Sequence, residues 1–185
     1  MSKRDDILAA TLDLISEEGL QSITFSKIFN RANVGSGTVY NYFRNKEDLV
    51  GALYIRTIDL FSDVMLGGYD KSESVFECFR RLLTNMACFA HDYQKENSFL
   101  ESYSHSPFIP EEIRNREIPA MTECILLIRR GTEQGLFRKV DPMMCANMIN
   151  GMLTSAIHGA LLGKYTMDEK DFEQVIEICW RAFVV

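Results

Sequence analysis

The sequence predicts an all-α fold. Three observations carry this. Apolar residues recur at helical spacings of three and four along most of the chain. With 11 Gly and 4 Pro in 185 residues, and the first proline at Pro107, long stretches contain nothing that must break a helix. No alternating apolar and polar run is long enough to make a convincing strand.

Residues 4–18 place Ile7, Leu8, Leu12 and Ile15 on one stripe, with Asp5 and Asp6 in the first turn and Gly19 just past the end, so they predict a complete helix. Thr24 is a good N-cap for a short second helix through Ala32, with Phe25, Ile28, Phe29 and Ala32 at helical spacing. Asn33 tolerates left-handed backbone and so suits the turn that follows. A third short helix over Ser36–Phe43 follows Gly35, and a fourth starts at Asn45, its cap, with Glu47 and Asp48 in the first turn. Two helices around so short a turn make a helix-turn-helix.

Leu49, Val50, Leu53, Thr57, Leu60, Phe61 and Val64 continue the fourth helix until Gly67-Gly68 stops it. A longer stripe runs from Val75 through Phe79, Leu83 and Met86 to Tyr93. Pro107, Pro110 and Pro119 punctuate a connecting region, after which Ile118, Met121, Ile125 and Ile128 mark a helix that ends at Gly135. Pro142–Gly163 lacks formal charge and is long enough to span a bilayer, but Asn147, Asn150, Thr154, Ser155 and His158 lie in its middle. A helix buried on nearly all sides in a bundle is expected instead, and no membrane partner. Within it Asn147, Gly151, Ser155, Gly159 and Gly163 form a row of small residues that would let another helix approach closely. The last segment, 168–185, is amphipathic through Phe172, Val175, Ile176, Cys179 and Phe183 and leaves Ile178 and Trp180 off the stripe. Excess apolar surface on two C-terminal helices is what a helix-pair dimer requires, which nominates Gly151, Ser155, Gly159, Ile178 and Trp180 for dimerisation.

Composition bounds the function. A hydrophobic fraction of 46% and a charged fraction of 25% exclude a disordered or fibrous chain. The five cysteines, Cys78, Cys88, Cys124, Cys145 and Cys179, show no CxxC or metal-ligand spacing, and the N-terminal residues lack the apolar run of a secretion signal. The expectation is a reduced, cytoplasmic protein without metal or cofactor. The net charge of −6 conceals a local reversal: residues 19–46 carry Lys27, Arg31, Arg44 and Lys46 and no acid. A small basic face on an acidic body suggests a phosphate-contacting patch on a larger sensing body.

The string from Ile28 to Leu49 suits a phosphate backbone. Gly35-Ser36-Gly37-Thr38 opens a helix with small side chains, so free backbone N–H groups can approach a groove, and the hydroxyls of Ser36 and Thr38 can donate to phosphate. Tyr40 and Tyr42 are longer donors, and Lys46 adds its charge to the positive end of the next helix.

Over residues 5–50 the sequence resembles the N-terminal domain of the tetracycline-repressor (TetR) family of bacterial regulators. That family's pattern runs apolar, small polar, any residue, Gly-Thr, aliphatic, Tyr, any residue, aromatic or His, Phe, two variable residues, Lys-Glu and then Leu, which Val34–Leu49 matches at nearly every position; Gly19-Leu20, Ile23-Thr24 and Ile28 also sit at its spacing. Further on, Gly135–Arg138 and Asp141-Pro142 look like the family's approach to its dimerisation helices. There are departures. Phe29 replaces a small Ala, Asn33 replaces the usual turn Gly, and Gly35 stands where a Ser or Thr normally caps the recognition helix, which removes one phosphate donor.

The resemblance implies a helix-turn-helix DNA-binding domain over residues 1–46 and a larger helical effector-binding and dimerisation domain over 47–185. It implies a homodimer on a pseudo-palindromic double-stranded operator, acting as a repressor released by a small apolar or amphipathic effector. Carried over residue by residue, Ser36, Gly37 and Asn41, with Ser26 beside them, are candidates for base edges; Thr24, Lys27, Thr38, Tyr40, Tyr42 and Lys46 are candidates for phosphate. Arg is absent from Gly35–Phe43, so part of the specificity is expected from DNA shape and water.

The aromatic and methionine excess downstream suggests an apolar cavity with a few polar groups. Its candidates are Phe61, Phe79, Met86, Phe89, Tyr93, Tyr103, His105, Met121, Met148 and Met152. Catalysis is not expected: His91, His105 and His158 are scattered, and no nucleophile with its base, glycine phosphate loop or HExxH is present. The alternative is the same fold governed by a protein partner rather than a metabolite.

Overall fold

The computed structural model describes residues 2–185. Among them it has ten α-helices, one short 3-10 turn and a single isolated antiparallel bridge between Phe137 and Val184. Helix α1 (Lys3–Glu18) starts in a capping box: Asp5 N–H donates to the Ser2 hydroxyl, and the Asp5 carboxylate accepts Ser2 N–H at 3.0 Å. It ends at Gly19, whose φ of 79° a side chain would resist. The 3-10 turn Leu20–Ser22 leads to α2 (Phe25–Ala32), where the Thr24 hydroxyl accepts the Lys27 N–H as predicted. Asn33 then takes left-handed geometry, φ 51° and ψ 48°. Helix α3 (Ser36–Tyr42) ends one residue before the expected Phe43, and Asn45 caps α4 (Lys46–Met65) by accepting Asp48 N–H at 2.8 Å.

The later helices are α5 (Val75–Asp92), α6 (Gln94–Tyr103), α7 (Glu111–Arg114), α8 (Pro119–Glu133), α9 (Pro142–Leu161) and α10 (Glu169–Phe183). Helices α6 and α7 fall in what reads as a connecting region in the sequence. Their segment is largely polar, and Phe99 is the only residue of the two that is fully buried. No helix is long and apolar enough to cross a membrane among the described residues.

The chain packs as two compact units, which do not coincide with the functional division expected at 46/47. One contains the residues up to Phe61 together with Tyr93–Arg116; the other contains Ser62–Asp92 and Glu117–Val185. In the first, α1 packs on α2, α3 and α6 around Ile7, Leu8, Ile28, Val39, Phe43 and Leu49, all nearly inaccessible. Burial of such side chains, at about 1.5–3 kcal/mol each, holds these short helices, which would not persist alone. The backbone of α4 at Gly51 comes close to Pro110 and Ile113, which a larger residue would prevent.

In the second unit α5, α8, α9 and α10 pack against one another. Trp180 of α10 is the hub of an aromatic cluster, with ring centroids 5.0 Å from Phe76, 5.3 Å from Phe79 and 5.0 Å from Phe137. Phe137 lies over Gly131 of α8, and the bridge to Val184 fixes the chain on its other side through Arg138 N–H donating to Phe183 O at 2.9 Å. Helix α9 departs from the expectation of burial on nearly all sides. Cys145, Ile149, Leu153 and Ile157 are buried, while Met144, Met148, Gly151, Ser155 and His158 form an exposed stripe.

Candidate nucleic-acid interface

Helix α3 is held from beneath. Val39 and Phe43 enter the core with 0% and 2% of their surface accessible, so the opposite face is left to solvent. On that face Ser36, Gly37, Tyr40, Asn41 and Tyr42 are exposed, and Thr38 is half-buried. Nothing lies within 4 Å of where a Gly37 Cβ would stand, so the backbone there is open to close approach. Ser26, on α2, is exposed as well.

Thr24, Tyr40 and Lys46 line one groove of about 250 Å³, with Ile23, Phe25, Ile28, Arg44 and Asn45. Three of these residues carry a hydroxyl, a phenol and an ammonium, donor groups of the kind that bind an anion. Phe29, large where a small residue would be usual, is not forced into the core. It is half-buried and, with Phe25 and Tyr40, forms a ring cluster whose centroids are 5.1–6.2 Å apart. That cluster braces Tyr40, which remains 57% exposed.

The basic residues are less free than a reading of charge along the chain suggests. Lys27 pairs with Glu18 and donates to Ser22 O at 3.1 Å, and Arg31 forms a two-pronged pair with Glu17 at 2.9 and 2.6 Å. The sequence reading missed both pairs because Glu17 and Glu18 belong to α1, outside the basic stretch; the packing of α1 on α2 joins them. The Arg31 guanidinium holds the Glu17 carboxyl below the usual glutamate range. Lys46 is half-buried, donates to the carbonyls of Gln21 and Ile23 at 3.4 and 3.3 Å, and lies over the Phe108 ring. Burial lowers its pKa, with Glu47 acting in the opposite direction.

A model of bacterial regulatory proteins of the tetR family matches residues 7–53, and a tetracyclin repressor-like C-terminal domain matches residues 74–184. The chain belongs to the TetR family. It is a DNA-binding transcriptional regulator of that family. An HTH-type transcriptional regulator of Haemophilus influenzae is 24% identical over 180 residues, covering 96% of this chain and 94% of its own. A solved TetR family protein of Vibrio parahaemolyticus shares 26% identity and a TM-score of 0.85 over 100% of both chains. FadR of Bacillus subtilis, solved in complex with stearoyl-CoA, shares the fold at 19% identity and a TM-score of 0.76, covering 95% of this chain and 96% of its own.

The residues nominated for an effector divide between the units of this TetR-family protein. In the first, Phe61 and Tyr93 are half-buried and His105 is exposed, while the Tyr103 hydroxyl accepts Leu20 N–H at 3.3 Å. In the second, Phe79 and Phe89 are buried, Met86, Met121 and Met152 are half-buried, and Met148 is 52% exposed on α9. Phe79 is committed on one side to Trp180 and Phe137. A groove of about 750 Å³ in the second unit has walls from Ala87, Ile157, Leu161, Tyr165, Met167 and Phe172, with His91, Asp168 and Glu169 among its polar groups. Most of its walls were not singled out in the sequence, because Leu161–Met167 reads as a helix end and loop.

Of the dimerisation candidates, Gly151, Ser155 and Ile178 are exposed, Ile178 at 64%. Gly159 is buried under the Tyr165 ring, whose hydroxyl donates to Ala156 O at 2.7 Å, and Trp180 is occupied by its own aromatic cluster.

Proposed function

We propose that this TetR-family regulator is a homodimeric repressor that holds a pseudo-palindromic operator and releases it when a small amphipathic effector binds the C-terminal domain. The observation that carries the DNA-reading part is the face of α3: Val39 and Phe43 anchor it, and Ser36, Gly37, Tyr40 and Asn41 are exposed on the opposite side. In this reading residues 1–46 read DNA and residues 47–185 bind effector and partner subunit. Ser36, Gly37 and Asn41, with Ser26, meet base edges. Thr24, Lys27, Thr38, Tyr40, Tyr42 and Lys46 meet phosphate, with Lys27 first leaving Glu18.

The exposed stripe of α9 supports the dimer. Met144, Met148, Gly151 and Ser155 are apolar or small, and Ile178 of α10 is a large apolar residue left in solvent by one chain. The stearoyl-CoA in FadR, a protein of the same fold, supports an amphipathic effector. The protein acts in the cytoplasm, where operator DNA lies.

Selection of genomic fragments by the purified protein, followed by anisotropy titration of the best fragment at two salt concentrations, tests the reading. The expected result is enrichment of one inverted repeat, bound two chains per site, with affinity falling steeply as salt rises. Binding of one chain per site, or an affinity indifferent to salt, would remove the dimeric phosphate-contacting repressor.

A further inference from the structure

Lys46, at the start of α4, is half-buried, and a residue outside the helix-turn-helix helps to hold its charge. An ammonium has three donors. Two of those of Lys46 go to Gln21 O and Ile23 O, at 3.4 and 3.3 Å, the long end of the hydrogen-bond range. The charge also sits 4.8 Å from the centroid of the Phe108 ring, within reach of a cation–π attraction. Phe108 belongs to the segment between α6 and α7, which is held in the same compact unit. Tyr103, before it, accepts the Leu20 N–H; Ile109, after it, is buried, and Pro110 and Ile113 close on Gly51. Lys46 also lines the groove with Thr24 and Tyr40.

We propose that Phe108 sets operator affinity by competing with DNA phosphate for the Lys46 ammonium. In the free protein the ring and the two carbonyls hold the cation; on the operator a phosphate oxygen takes the place of the ring. The exchange links the 104–110 segment to DNA occupancy, and the link is reciprocal: a shift that presses Phe108 onto Lys46 weakens the operator contact, and operator binding frees Phe108. Replacing the ring by an aliphatic side chain of similar bulk removes the competitor and keeps the packing.

This inference rests on Lys46 contacting phosphate, and the experiment separates its failure from the failure of that reading. Wild type, Phe108→Leu, Phe108→Tyr, Lys46→Met and the double variant Lys46→Met with Phe108→Leu are titrated with a selected operator fragment by anisotropy, each folded by circular dichroism. Phe108→Leu should tighten binding about two- to five-fold, the size of one exposed cation–π contact. Phe108→Tyr, which keeps the ring, should bind as wild type does. In the Lys46→Met background, Phe108→Leu should change nothing. Weakened or unchanged binding by Phe108→Leu, or the same gain with and without Lys46, would overturn the competition while leaving the phosphate contact in place. Lys46→Met binding as tightly as wild type would overturn both.

Discussion

Arg31 of α2 grips Glu17 of α1 with two nitrogens, at 2.9 and 2.6 Å, and one turn away Lys27 pairs with Glu18. The helix-turn-helix therefore carries its own competing anions. Each pair is at the surface, where such contacts add little stability, so their main effect is on the local charge field.

Charge removal at this edge should strengthen DNA binding. Glu17→Gln with Glu18→Gln leaves Arg31 and Lys27 without acidic partners and is expected to raise affinity for any duplex several-fold at low salt, steepening the salt slope by up to about 1 per freed cation that reaches a phosphate. Anisotropy titrations of an operator and of an unrelated duplex at several salt concentrations check this. Unchanged slopes for both would show that neither cation lies within reach of the backbone.

Gly131 tests the aromatic cluster. A Cβ there would come within 2.6 Å of the Phe137 ring, which is itself buried and wedged against Trp180. In a solvent-exposed helix, Gly→Ala would gain about 1 kcal/mol. Here overpacking, at about 1–3 kcal/mol, should win, and Gly131→Ala should melt at a lower temperature than wild type. A higher melting temperature would mean that Phe137 moves aside at no cost.

Alkaline pH should expose the surroundings of Tyr69. Burial, reinforced by Cys78, pushes its phenol up to about 12, from an ordinary value of 10.0. The folded state keeps the proton where the unfolded state has lost it, so this contribution is intact below pH 10 and is lost as pH rises from there through about 12. Tyr69→Phe should flatten the fall of melting temperature in that window and leave neutral pH little affected. An identical alkaline profile in the variant would contradict the assignment.

How far the sequence carries differs between the two units. Most helices of the first are legible because local chemistry writes their ends: Thr24 and Asn45 cap, Gly19 stops α1 and Asn33 turns. The site face follows from them, since burying Val39 and Phe43 fixes which side of α3 is free. What the sequence does not show is the pairing of residues distant along the chain. Glu17 with Arg31, and Lys46 with Phe108, depend on how α1 and the segment after α6 pack. The exposed stripe of α9 was hidden for a related reason. A helix without charges reads as buried all round, and only the packed chain shows that one side lacks a cover.

That uncovered side gives the oligomer prediction. Gly151→Arg with Ile178→Glu puts charge on two exposed positions that the dimer reading buries. The variant should keep its helical content and run as a monomer in light scattering, with at least a tenfold loss of affinity for a two-half-site operator. A dimer of wild-type mass would place the interface elsewhere.

The most direct test of the central claim, that the groove shared by Thr24, Tyr40 and Lys46 receives a DNA phosphate, is the salt dependence of operator binding by the double variant Tyr40→Phe with Lys46→Ala. Weaker binding to every duplex is expected, with a slope smaller by about 1 than that of wild type, the release of one counterion fewer. A slope equal to that of wild type would contradict it.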